Sequence, residues 1–458
     1  MTNDSFHHIQ NKRLVVIGGG AAGFFCAVNA ARAHPKVEVI LLEKTSKLLS
    51  KVKVSGGGRC NVTHACFSIA EMIKKYPRGS TFLKKAFHHF FTTDTIAWFE
   101  ERGITLKTEA DGRMFPVTDN SQTIIDCLLS EANKYKVQVI MNAQVIAVDR
   151  EQMTEDREKM LDDSGQWTVN SSLKKDVSNQ SSVVGRQSSV VGGQFKLQLN
   201  NERTLTADYV CIASGGYAKS SQFDWITKLD HHIASPVPSL FTFNLPKHPI
   251  TALMGISVEN VQVKIPGTKL QQQGPLLITH WGLSGPAVLK LSAWGAEIFA
   301  SKNYHYQILI NWLPDYHENS MIQKLQALRF SLASQKIINR NPFLLPSRLW
   351  EFLLSTAAVP AEMRWADLPA KAQNKLAKLL CANEYDVKGK TTFKEEFVTA
   401  GGVQLDEIDA STMQSRIVPN LYFAGEAMNV DGITGGFNFQ HAWSSGWIAS
   451  ELKSSDKS

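Results

Sequence analysis

The sequence predicts an α/β fold in which one domain is split by a long insertion, on three observations. A short apolar run, Leu14 to Ile17, enters a glycine cluster and a small-residue helix, then reaches a second apolar run closed by Glu43. About 400 residues later Leu421 to Ala424 enters a second glycine-rich loop and a second helix, repeating the same order of parts. Between them the composition shifts to Pro-rich, aromatic, strand-like runs and then to helical ones.

In the opening stretch, RLVVIGGGAAGFFCAVNAARAHPKVEVILLE, residues Gly18, Gly20 and Gly23 stand at G-x-G-x-x-G spacing, with Gly19, Ala21 and Ala22 keeping the intervening positions small. The three glycines suit a tight turn, close backbone approach to a pyrophosphate, and tight helix-to-strand packing. The helix start supplies unpaired N–H groups and a positive dipole end. Glu43, followed by Lys44, stands where an acid can accept hydrogen bonds from an adenosine ribose. This is a Rossmann-type dinucleotide signature, and it does not by itself separate FAD from NAD. Leu14 to Ala31 is about as long as a membrane span, but five of its residues are Gly or Asn and its flanks are charged, so no membrane role is read from it.

A chain of 458 residues can hold two or three domains, and 43% hydrophobic with 20% charged residues is ordinary for a soluble protein. The N-terminus has no apolar stretch of the signal-peptide kind, and six scattered cysteines suit reduced thiols, so a cytoplasmic location is expected. The net charge of +7 comes without a long Lys/Arg run, so nucleic acid is not favoured as a partner over a small-molecule substrate.

After Glu43 the segment KTSKLLSKVKVSGGGRCNVTH reads as a loop at the mouth of the dinucleotide site. Ser55, Gly57 and Gly58 let the backbone lie against a ligand, Lys51 and Arg59 can reach phosphate, and Asn61 adds hydrogen-bonding groups. Cys60 and Cys66 have five residues between them, not the four of flavin disulfide reductases, so no dithiol mechanism is inferred. Glu71 to Gly103 has helical periodicity, Arg113 sits in a turn and reads as solvated in preference to meeting a substrate, and a helix is expected over about 121–135. In the strands that follow, Val145 stands where a backbone pair could meet an adenine edge. Residues 151–193 are polar and carry the copies SSVVGRQ and SSVVGGQ, which reads as a long hairpin tip without chemistry.

The strand ending in Ala213, Ser214 and Gly215 is where the chain leaves the first domain. The expected boundaries are a first part over 1–216, an insert over 217–390 with a β part to about 315 and a helical part over about 316–385, and a second part over 391–458. Inside the insert, THWGLSGPA makes His280 the candidate proton donor. In the closing stretch Gly425 and Glu426 end a strand, and the loop through Asp431, Gly432, Gly435 and Gly436 leads to Phe437 and Asn438 at a helix start. A carboxylate at a strand end suits a polyol hydroxyl and a helix N-terminus suits electron-rich ring atoms. NAD lacks a polyol chain and FAD has ribityl, so this half-site selects FAD.

Together RLVVIGGGAAG with Glu43, KVKVSGGGRCNVTH, THWGLSGPA, TAGGV and YFAGEAMNVDGITGGFNFQHAWSSG resemble bacterial flavoproteins variously labelled aminoacetone-oxidase-like and 3-dehydro-bile-acid reductase-like, over nearly the whole chain. The resemblance implies a glutathione-reductase-type FAD domain interrupted by a small β-barrel carrying a three-helix segment. It also implies FAD contacts at the opening glycines, Glu43, Lys51, Ser55 to Asn61, Val145, Gly215, Gly425, Glu426 and Asp431 to Asn438. Lys53 departs from the family's apolar pattern, and the 151–193 segment is longer than the family's. The leading expectation is an FAD-dependent oxidoreductase passing a hydride between flavin N5 and a small organic substrate, as a NAD(P)H-dependent reductase of an enone-like compound. With no second G-x-G-x-x-G unit, NADH or NADPH would dock transiently in the substrate cleft. A flavin-dependent oxidase of a small amine, an RNA-acting flavoprotein, and a flavin sensor without turnover are the alternatives.

Overall fold

The computed structural model describes residues 12–150, 194–392 and 398–453. The proposed hairpin tip at 151–193 lies outside them. Arg13–Ile17 (β1), Glu38–Leu42 (β2), Gln138–Ile140 (β3), Tyr209–Ile212 (β4) and Leu421–Phe423 (β5) form a five-stranded parallel sheet in the order β5-β4-β1-β2-β3. Val15 pairs with Ile40 on one side and Val210 on the other, and Ile212 pairs with Phe423. The strands are apolar on both faces because both are covered, as parallel sheets require. Ala21–Ala33 (α1) and Phe437–Ser450 (α2) pack within the same core. The sheet thus brings the first and last glycine loops side by side at its carboxyl edge.

Periodicity over 71–103 overstates the helix there. Turn residues break it into Ile69–Met72, Ser80–Ala86 and Thr92–Glu100, with Gly79 at φ 82° starting the second piece. The run Ser50–Gly58 is also not a plain loop. It starts helical and kinks where Ser55 turns extended and Gly56 and Gly57 take positive φ.

A two-stranded antiparallel ribbon, Ile233–Ser239 against Val398–Val403, carries the chain out of this part and back. Between its ends lies a seven-stranded sheet with a core of its own, centred on Phe243, Val263, Ile278 and Ile310. Asn383–Lys388, whose first residues fall within the expected helical part, forms its edge beside His305–Asn311. Three helices, Glu318–Ser331, Ser347–Thr356 and Ala370–Cys381, complete that core with Leu325, Trp350 and Leu376.

Two buried polar clusters fix these parts. His231 donates or accepts between Glu407 Oε2 and Ser415 Oγ, each 2.9 Å away. The order resembles a hydrolytic triad, but Ser415 Oγ already accepts the N–H groups of Ile417 and Val418 and is buried, so the cluster is a cross-link. The second cluster holds Asp431, whose side chain is fully buried. Arg78 grips it with two nitrogens, Ser239 Oγ donates to it at 2.8 Å, and Arg78 Nη2 also donates to the Ala293 carbonyl at 2.9 Å. Burial pushes the Asp431 carboxyl upward while Arg78 and Ser239 pull it back.

Removing one member of such a pair strands a charge in the core. Arg78→Met is expected to lower unfolding stability by about 3–5 kcal/mol in a denaturant titration, and adding Asp431→Leu to recover most of that loss.

Candidate functional site

The two glycine loops face one another across a cleft of about 660 Å³ that runs on to the wall of the insert. That volume lies within the roughly 300–1,000 Å³ common for ligand pockets. At one end the opening motif divides its labour. A Cβ on Gly18 would stand 2.3 Å from Ala213 O, and one on Gly23 would stand 1.9 Å from Gly18 O, so these two serve close packing of loop, strand and helix. A Cβ on Gly20 would meet nothing within 4 Å. The open space over Gly20, beside the first-turn N–H groups of α1, is where a pyrophosphate can approach. Glu43 holds the loop by accepting Gly19 N–H at 2.9 Å through Oε2, and accepts Thr45 N–H at 2.9 Å through Oε1.

Gly18, Gly19, Gly20, Ala21, Ala22, Glu43 and Lys44 all border the cleft. So do Lys51, Ser55, Gly57 and Asn61 from the kinked segment, and Ala213, Ser214 and Gly215 after β4. Gly425, Glu426, Gly435, Gly436 and Asn438 border it from the closing stretch. Lys51 and Glu426 ion-pair across the cleft, and Glu426 Oε1 accepts Thr399 N–H at 2.7 Å, which ties the returning ribbon strand to the site. Val145 lies elsewhere, in an adjoining pocket of about 360 Å³ with Tyr217 and Trp225 that also touches Gly18, Glu43 and Ser214.

Several expected contacts have other partners. Gly23 is used in packing. The cleft is not bordered by Gly58, Arg59 or Cys60. Arg59 pairs with Glu109 at 2.6 Å and lies over the Phe115 ring. Cys60 is fully buried, which pushes its thiol up to about 12 and leaves no thiolate for redox chemistry. The Asp431 carboxylate is spent on Arg78 and Ser239. Gly432 holds Asn438, accepting from its Nδ2 at 2.9 Å and donating to its Oδ1 at 2.8 Å. Phe437 is buried, with the His64 ring stacked on it at 4.7 Å. His280 is exposed at a hairpin turn against Trp281, away from the cleft, so it has no place as a proton donor here.

At the ring end, Asn61 in its satisfied orientation accepts Gly436 N–H at 2.9 Å and donates to the Thr63 carbonyl at 3.0 Å. Gly436 N–H is therefore taken. Hydrogen bonding within α2 begins with Gln440 N–H to Gly436 O, so the Phe437 and Asn438 N–H groups have no partner inside the helix. His441, one turn further, borders the cleft with Nε2 donating to Gly425 O at 3.1 Å. Its Nδ1 is buried without a partner and presents an acceptor suited to a ligand hydroxyl. Burial drives its pKa down to about 4.

The far wall was not read as a site from the sequence. It comprises Leu240, Thr242, Ser284, Leu289, Thr392 and Arg113. Ser284 lies in the THWGLSGPA stretch, so a signal existed but was attached to the wrong side chain. Arg113 is part-exposed at the cleft's border but not free, its guanidinium held by Asp111 at 2.7 Å and Glu109 at 3.0 Å. Among the described residues no group of acids, histidines and cysteines could hold a metal, and no helix is long and apolar enough to cross a membrane.

Two expectations follow. Gly20→Ala should fold with an unchanged melting temperature yet retain less flavin by absorbance, whereas Gly23→Ala should fail to fold. An unfolded histidine takes up a proton near pH 6.5 and folded His441 resists to about 4, so stability present above pH 6.5 is lost as pH falls toward 4. The loss amounts to about 3 kcal/mol, and His441→Gln should lack that component in urea titrations across this range.

Known proteins align along nearly the whole chain. The ribosomal RNA dihydrouridine synthase of Escherichia coli is 29% identical, over 95% of this chain and 96% of that protein. The Haemophilus influenzae protein of the same name is also 29% identical, over 96% and 97%. The 3-dehydro-bile acid delta(4,6)-reductase of Clostridium scindens is 24% identical, over 95% and 98%. Residues 12–173 match the HI0933-like protein Rossmann domain, and residues 237–398 match the HI0933-like protein barrel and H2TH domain. This chain, with its split parallel sheet and its insert, belongs to the HI0933-like family.

Proposed function

We propose that the protein is an FAD-dependent reductase of a carbon–carbon double bond conjugated to a carbonyl, and that its substrate is uridine within ribosomal RNA. Membership of an oxidoreductase family supports the first half, and two full-length relatives named for dihydrouridine in ribosomal RNA support the second. Forming dihydrouridine and reducing a delta(4,6) bile acid are one kind of chemistry, the addition of hydrogen across an alkene polarised by a carbonyl. The observation that carries the reading is the cleft's extent: it continues past the dinucleotide motifs to Arg113, Thr242 and Ser284 on the opposite wall.

The residues fit FAD. Open space over Gly20, the first-turn N–H groups of α1 and Lys51 suit the pyrophosphate, Glu43 the ribose, and the pocket at Val145 and Trp225 the adenine. Glu426 and His441 Nδ1 suit ribityl hydroxyls, and the Phe437 and Asn438 N–H groups suit the electron-rich edge of the ring. Bound FAD supplies a hydride at N5. Arg113 orients the substrate carbonyl and stabilises the negative charge that gathers on its oxygen as the alkene accepts hydride. The carboxylates of Asp111 and Glu109 keep the guanidinium in place, so little reorganisation is needed. Leu240 and Leu289 give a planar substrate an apolar surface to lie against. NADH or NADPH supplies the electrons, and water supplies the second hydrogen as a proton.

The decisive measurement is anaerobic. Flavin bleached with NADPH or NADH is expected to reoxidise on addition of unmodified ribosomal RNA, with one dihydrouridine formed per flavin by mass spectrometry. Bleaching by amines alone, or reoxidation by oxygen alone, would sink the proposal. Arg113→Met should retain its flavin and lose about 10²-fold in RNA reduction.

A further inference from the structure

Positive charge is carried beside the cleft, where Lys44, Lys47 and Lys51 stand, and also well away from it. Residues 318–381, the helical part of the insert, hold nine Lys and Arg against four Asp and Glu, a net +5 in a chain of net +7. The polypeptide gathers part of this charge at one tip. The segment after the first insert helix runs beside the one before the third: Trp365 N–H donates to Gln335 O at 3.0 Å and Ile337 N–H to Met363 O at 2.9 Å. Lys336 and Arg364 face each other across that pairing, and Arg329 Nη2 donates to Ala366 O at 3.2 Å.

Lys336 is neutralised by Glu362. Arg340, Arg364 and Lys371 are exposed and form no ion pair among the described residues. Phe330, at the end of the first insert helix, is 86% exposed and lies next in the chain to Arg329. An isolated exposed Phe needs no explanation. One set among the unpaired cations Arg340, Arg364 and Lys371, which outnumber the exposed Asp367 of the same segment, has the composition of surfaces that track a nucleic-acid backbone while stacking an unpaired base. None of these residues borders the cleft. The charge excess argues against an apolar protein partner, and the aromatic ring against a merely solvated face.

We propose that this tip is an RNA-docking face, gripping phosphates through Arg340, Arg364 and Lys371 and stacking an unpaired base on Phe330. The inference rests on the reading that the substrate is uridine in RNA. It adds that RNA is held at two places, with the reacting base in the cleft and a separate segment on the helical tip.

The test uses the flavin-loaded full chain and transcripts of the two large ribosomal RNAs. Binding is followed by fluorescence anisotropy at several salt concentrations, and reduction is followed with the same RNA and with a small soluble enone. For the triple variant R340E/R364E/K371E we expect affinity for the RNA that it reduces to fall by at least about tenfold, with the log–log salt slope flatter by about 2 to 3. For Phe330→Ala we expect an affinity loss of roughly tenfold with the salt slope unchanged. Melting temperature, flavin content and enone reduction should match the parent protein in both. All of these side chains are exposed, and the neutral variant R340Q/R364Q/K371Q, with a smaller slope change, guards against an effect of charge reversal on folding. Unchanged RNA affinity and slope in variants that still reduce RNA would overturn the docking face and leave the proposed function standing. If the parent protein reduces the enone and neither binds nor reduces RNA, the RNA reading fails and the docking face with it.

Discussion

The geometry of the cleft depends on a carboxylate kept out of water. Asp431 belongs to the closing glycine loop, Arg78 to the turn before a helix of the first part, and Ser239 to the ribbon strand entering the insert. A buried carboxylate must be both neutralised and hydrogen-bonded, so none of these segments can shift without exposing an expensive charge. Arg78 also reaches the Ala293 carbonyl on an insert helix, which brings a fourth segment into register. The loop that starts α2 and the wall that faces it are thereby fixed relative to each other. The distance between Gly436 and Thr242 across the cleft follows from this arrangement.

The cleft is also electrically graded. Its opening end combines a helix N-terminus with Lys44, Lys47 and Lys51, as a doubly charged ligand segment needs. Its middle has Glu426 and the bare nitrogen of His441, which favour hydroxyls. Among the described residues its far end has one fixed cation, Arg113, with Leu240, Leu289 and small hydroxyl side chains. A long ligand with charged, polyhydroxy and aromatic sections can lie along this gradient in only one direction.

What could be read in advance follows the range of each interaction. Gly18, Gly20 and Gly23 act on one another across a few residues, so their spacing alone carries the argument, and Gly425 with Glu426 could be read as a repeat of the same grammar. The far wall could not, because Arg113, Thr242, Ser284 and Thr392 come from four distant segments and meet only through the ribbon and the antiparallel sheet. Cys60 and Asp431 sit inside the right motifs, yet motif position does not say whether a side chain faces the ligand or the core. His280 was favoured by neighbouring glycines, of which Gly282 closes a hairpin and Gly285 starts a helix.

The ribbon has one further consequence. The insert's two ends run antiparallel and hydrogen-bonded, Val237 against Ala400 and Ser239 against Val398. A length change anywhere between them closes on itself at that seam and leaves the register of the parallel sheet untouched. The insert's share of the wall that faces the cleft is in effect a cassette, entered and left at one seam and tied down a second time by the Arg78 contact to Ala293. Natural variation can therefore exchange what the enzyme recognises without rebuilding what powers it.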